Sequence, residues 1–199
     1  MREIILASAS PARAVLLQKL GLPFSIDAVH IDESALANEK APELVMRLAY
    51  IKAAACLKKH PQALCIGADT LALLGERILG KPKDAQEARR MLQLLSGQQH
   101  YMMTGLCLVQ DNKIECVVEQ TAVTFRCLKP QEIDMYVSGG GWQGHAAGYA
   151  LQDGNNLLAK IDRSRSNVIG LPLSLLRQKL TAWGIKCADI INKKEKNVA

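Results

Sequence analysis

Aromatic side chains are scarce in these 199 residues: two Phe, two Trp and four Tyr. A platform for stacking single-stranded bases needs more than that, so nucleic acid is not the expected ligand despite a net charge of +6. No apolar run approaches the roughly 20 residues of a spanning helix, which argues against a helical membrane segment. The apolar stretch Ile4 to Ala7 is too short for the core of a secretory signal. It reads instead as a buried first strand of a cytoplasmic protein. Six cysteines, Cys56, Cys65, Cys107, Cys116, Cys127 and Cys187, form no CxxC pair, so their spacing supports neither a zinc nor a redox site. They read as small core residues in reducing surroundings. Internal repeats and low-complexity linkers are missing too.

What remains is ordinary globular composition, 49% hydrophobic and 22% charged. One domain is expected over residues 1–190, with a basic flexible tail at 191–199 that carries Lys193, Lys194 and Lys196. At this length folding buries roughly 70% of the surface of the extended chain.

The pattern mixes strands and helices. After the first strand, Ser10 is a natural N-cap and Pro11 a natural first helical residue, for a helix ending at Gly21. Phe24 to Val29 alternates as a strand, and Pro42 to Lys59 is a long amphipathic helix. Ala63 to Ala68 reads as a buried strand ending at Asp69-Thr70, followed by a hairpin turning at Gly75-Glu76. Asp84 and Glu87 fit a capping box for a helix to Leu95. His100 to Gln110 and Glu115 to Phe125 form an antiparallel pair about Asp111-Asn112. A short helix is expected at Pro130 to Val137, strands at Gly148 to Gln152 and Leu157 to Ile161, and a last helix at Pro172 to Trp183. The class is α/β with a mixed sheet.

Two glycine motifs mislead. Gly139-x-Gly141-x-x-Gly144 has the spacing of a dinucleotide fingerprint, but the order around it is helix then strand, the reverse of what that fingerprint needs. Gly75-x-x-x-x-Gly80-Lys81 lacks the Ser or Thr of a P-loop. Pro82 stands there and has no N–H for a phosphate.

The chemistry gathers at element ends. Ser8, Ser10 and Arg13 lie where the first strand enters the first helix, and free N–H groups plus a guanidinium suit a phosphate. Asp69 and Glu33 offer carboxylates, and magnesium is commonly held by one or two carboxylates plus substrate phosphates. Lys52 interrupts the apolar edge Val45, Ala49, Cys56 of its helix, and either snorkels or reaches a phosphate. Lys81, between Gly80 and Pro82, is a second such lysine.

The ordered segments LASASPARAVLL at 6–17, DE at 32–33, RLAYIKA at 47–53, GADT at 67–70, GKP at 80–82, SGQQHYMMTG at 96–105, TAVTFRCL at 121–128 and SNVIGLPL at 166–173 resemble the Maf family of nucleoside triphosphate pyrophosphatases. The resemblance implies a Maf/inosine-triphosphatase-like fold, an elongated mixed sheet in two lobes around a central cleft, usually as a homodimer. It implies cleavage between the α- and β-phosphates of a nucleoside triphosphate, with Mg2+ or Mn2+ as cofactor. It places the general base at Asp69, phosphate and metal contacts at Ser8, Arg13, Glu33, Lys52 and Lys81, and base choice at Ala12, Thr70 and Gln152. Thr70 and Gln152 point to dTTP and UTP. Ala12 stands where many members carry a second arginine, which leaves modified nucleotides open. HAAGY at 145–149 and DRSRSNV at 162–168 also depart from the family pattern. The alternative reading is a nucleotide-binding regulator of septum formation with little or no activity.

Overall fold

The computed structural model describes residues 3–151 and 157–188. The expected basic tail therefore lies outside the described residues, and so does Gln152. Strand β1 (Ile4–Leu6) is flanked by parallel partners β2 (Ser25–Ile26) and β3 (Leu64–Leu74). Strands β5 (Gln99–Gln110), β6 (Lys113–Phe125) and β7 (Leu158–Asp162) continue the sheet antiparallel, and β4 (Arg77–Leu79) pairs with β3. The result is a seven-stranded mixed sheet, ordered β2-β1-β3-β5-β6-β7 with β4 on the edge of β3.

Both faces of its centre are covered, which explains why β1 and the first half of β3 are apolar without alternation. One face carries helix α2 (Ala41–Lys59), packed over Ile5, Cys65, Cys107 and Val109. Gly67 and Gly105 let that helix sit unusually close. A Cβ on either would overlap the carbonyl oxygen of Ala49 or Val45. The other face carries α1 (Pro11–Gln18) and α6 (Leu173–Ala182), which bury Leu16, Leu17, Leu176 and Leu180 against Leu6, Ile66 and Leu108. Farther along the same face, α3 (Ala85–Leu95) and α4 (Pro130–Ser138) close a second core over Ala72, Met102 and Phe125. These two cores are the two lobes, and the cleft opens between them.

The local signals hold at most boundaries. Ser10 caps α1 by accepting from Arg13 N, with Pro11 first in the helix, and Asp84 caps α3 by accepting from Glu87 N at 2.7 Å. Four expectations need correction. The strand at Phe24 to Val29 shrinks to two residues, because β1 offers only Ile5 and Leu6 as partners. The strand at Gly148 to Gln152 does not form over its described part. Ala146–Gly148 is a 3-10 turn with Ala147 at φ 57°, fixed by Ala147 N donating to Gly80 O at 2.9 Å. A five-residue helix, α5 (Arg165–Ile169), occupies the DRSRSNV segment, for which no element was expected. Finally, the cysteines are not all free. Cys107 and Cys116 form a disulfide across β5 and β6, where the register sets them directly opposite, while Cys56, Cys65, Cys127 and Cys187 are free. No helix among the described residues is long and apolar enough to cross a membrane.

Candidate active site

The key position is a gap in one edge of β3. That edge is paired to β1 through Leu64, Cys65 and Ile66, and to β4 through Ala72, Leu73 and Leu74. Between them, residues 67–71 pair only with β5 on the opposite edge. Asp69 and Thr70 therefore sit in mid-strand, not at a strand end as the sequence suggests. They face an opening because β1 stops early and β4 starts late. Strand alternation then sends neighbouring side chains to opposite faces of the sheet.

On the α2 face, Lys52 is buried, at 7% exposure. Its Nζ donates to Asp69 Oδ1 at 2.6 Å and pairs with Glu33 Oε1, also at 2.6 Å. The bland possibility of a snorkelling lysine is thus excluded, since the ammonium ends between two carboxylates. Glu33 arrives from the loop between β2 and α2, half exposed. Partial burial pushes its carboxyl upward in pKa, but the hydrogen bond and charge of Lys52, with Lys81 and Arg13, hold it below the ordinary range overall. Asp32, its neighbour, is spent locally: its Oδ1 accepts from Ser34 N at 2.9 Å.

On the other face, Arg13 is locked from three sides. Its Nε donates to Gly170 O at 2.8 Å, Nη1 to Ser8 Oγ at 3.1 Å and Nη2 to Thr70 Oγ1 at 3.1 Å. Thr104 Oγ1 donates to Asn167 O at 3.1 Å, which leaves Thr70 as donor in the 2.9 Å bond between the two threonines. Burial pulls the guanidinium pKa down while Asp69 and Glu33 pull it up, and an arginine stays protonated throughout.

Ser8, Ala12, Arg13, Glu33, Lys52, Thr70 and Lys81 line one cleft of about 860 Å3, closed on the far side by Gln143, His145 and Tyr149. Lys81 is exposed, on the chain leaving β4. Asp69 lies just behind this lining, against Lys52. Of the expected site residues, only Gln152 is left without a described position. Arg163 and Arg165 are exposed and do not line the cleft.

Sequence reasoning missed the supports. Asn167, fully buried, donates from Nδ2 to Met102 O at 3.1 Å and Thr121 Oγ1 at 2.9 Å, which ties α5 to β5 and β6. That anchorage places the Gly170 carbonyl that orients Arg13. Asn167 and Gly170 both lie in SNVIGLPL, so a signal was present, but a single sequence does not say which atoms they meet.

A family model described as Maf-like protein matches residues 3–183. A dTTP/UTP pyrophosphatase of Symbiobacterium thermophilum is 40% identical, covering 92% of this chain and 95% of its own. One from Myxococcus xanthus is 44% identical over 85% of this chain and 87% of its own, and one from Bacillus pumilus is 40% identical over 93% and 98%. The solved structure of a nucleoside-triphosphatase from Mycobacterium abscessus is 16% identical with a TM-score of 0.46, too weak a likeness to carry fold or function.

Proposed function

The chain belongs to the Maf-like family, and we propose that it hydrolyses a nucleoside triphosphate, dTTP or UTP first, to the nucleoside monophosphate and pyrophosphate. The observation that carries this reading is the pair of carboxylates, Glu33 and Asp69, held on one ammonium beside a cleft whose opposite wall presents Arg13.

A triphosphate brings about four negative charges, and Arg13, Lys52 and Lys81 supply cations around the cleft to meet them. The start of α1 adds backbone N–H groups on the Arg13 side. Asp69 is the proposed general base. It accepts a proton from water at its carboxylate as that water attacks the α-phosphorus, and pyrophosphate leaves. Such a base contributes typically ~10²–10⁴-fold. Lys52 holds that carboxylate in place through its 2.6 Å hydrogen bond to Oδ1.

The donor set also fits a hard divalent cation, because Glu33 and Asp69 offer carboxylate oxygens at one point while substrate phosphates complete the shell. Magnesium or manganese, held by these two residues, would neutralise and polarise the phosphoryl oxygens. Preference for dTTP and UTP rests on the names of the relatives and on Thr70. A homodimer belongs to the same proposal and rests on family likeness alone.

The test is a panel of nucleoside triphosphates with magnesium, scored for pyrophosphate, run beside Asp69→Asn. Release of pyrophosphate from dTTP and UTP, cut at least ~10²-fold in the variant with unchanged melting, is expected. No pyrophosphate from any member of the panel would overturn the proposal.

A further inference from the structure

A second cluster of ligating side chains lies away from the cleft, at the far end of α2. Cys56 is on the last turn of that helix, His60 is its C-cap, and Asp27 follows β2. Positions 56 and 60 share one helical face by their spacing of four. One ligand atom from each of Asp27, Cys56 and His60 lies within 4.8 Å of the other two. A His60 ring nitrogen is already 3.0 Å from Asp27 Oδ2.

We propose that Asp27, Cys56 and His60 form a binding site for a zinc-like divalent ion, separate from the catalytic cleft. Imidazole, thiolate and carboxylate together are the ligand types that zinc accepts, and tetrahedral bond lengths of 2.0–2.3 Å separate such ligands by roughly 3.3–3.8 Å. The three atoms therefore need to close by about 1.5 Å at most. Charge also balances: one thiolate and one carboxylate neutralise a dication, and a water completes the shell. Cys65 on β3 hydrogen-bonds the Cys56 sulfur from behind, the outer support such sites use to orient a ligand.

Access is built in. Cys56 forms the buried floor, while the side chains of Asp27 and His60 are 24% and 35% exposed. Lys59, whose Nζ is 3.1 Å from Asp27 and whose side chain is 56% exposed, withdraws to solvent when metal takes the carboxylate. The absence of a CxxC pair hid this site, because its ligands are one cysteine and one histidine at the end of α2 and an aspartate from a separate loop. The metal would staple the C-terminal end of α2 to the root of the 27–40 loop, and these two elements carry Lys52 and Glu33.

The experiment uses the full chain, without reductant so that Cys107–Cys116 stays paired, and titrates zinc and then cobalt alone. Wild type is expected to bind one cobalt with a thiolate-to-cobalt charge-transfer band, and to melt at a higher temperature with zinc. Asp69→Asn keeps both signals, which separates this site from the cleft. His60→Ala, at a partly exposed helix end, is expected to weaken zinc binding at least ~10²-fold and lose the zinc-dependent shift, since losing a residue that merely hydrogen-bonds a ligand already costs about 10–100-fold. Cys56→Ser should lose the band. If Cys56→Ser fails to fold, the wild-type thiolate-to-cobalt band, absent in His60→Ala, gives the same answer. Cobalt binding without a thiolate band in wild type, or undiminished zinc affinity in His60→Ala, would overturn the proposal.

Discussion

Lys52 Nζ and Asp69 Oδ1 stand 2.6 Å apart, with Glu33 Oε1 at the same distance from the same ammonium. Lys52 is therefore a clamp on two carboxylates, in addition to the substrate contact proposed for it. Lys52→Met leaves Asp69 and Glu33 facing each other without a cation. A stability loss of about 2–4 kcal/mol is expected, short of the full effect for a buried pair because Glu33 is half exposed. Lys81→Ala removes an exposed charge and should cost activity without measurable stability. Urea unfolding of both variants checks the contrast, and equal stabilities would remove the clamp.

Helix α2 holds Lys52 at this distance only because Gly67 and Gly105 admit its backbone. Gly67→Ala sets a methyl group against the Ala49 carbonyl and the Ala53 N–H. Neither can yield as a side-chain tip would. The variant is expected to lose about 1–3 kcal/mol and most of its turnover, as the helix moves away from Asp69. A variant with native activity and native urea midpoint would show that the helix has slack.

His100 supplies an acid limit to stability. It is fully buried, flanked by Phe125 and Tyr149, with a ring nitrogen 2.8 Å from the Tyr149 hydroxyl. Burial pushes its pKa from the usual 6.5 down to about 4. The unfolded chain thus binds the extra proton first. Stability is unaffected by this group above about pH 6.5 and is lost progressively between there and about pH 4. The loss amounts to about 3 kcal/mol. His100→Gln should flatten that slope in urea titrations at stepped pH; parallel slopes would exclude His100 as the cause.

Ala12 lines the cleft beside Arg13 with only a methyl group. Ala12→Arg adds a charged donor there. The ratio of kcat/KM between UTP and a modified purine triphosphate should shift by about 10-fold, the worth of one charge-assisted hydrogen bond of about 1.5 kcal/mol. An unchanged ratio would place base selection elsewhere.

Much of this was legible from local rules. Ser10-Pro11, the Asp84 cap and the turn at Asp111-Asn112 each fix an element through chemistry confined to a few residues. The disulfide was missed. With Gln110 opposite Lys113, the hairpin register sets Cys107 against Cys116, but a search for CxxC spacing passes over it. The gap that exposes Asp69 was not legible. It arises because two strands distant in sequence share one edge of β3, and β3 itself runs unbroken through it. Asn167 was out of reach for a similar reason. Its amide bridges β5 and β6 across 46 residues or more, and nothing in SNVIGLPL alone shows those partners.

The central claim is that water, activated at Asp69, attacks the α-phosphorus. Turnover of UTP in oxygen-18 water tests it most directly, with mass spectrometry of both products. The account predicts one labelled oxygen in UMP and none in pyrophosphate. Label in pyrophosphate, or UDP and phosphate as products, would contradict it.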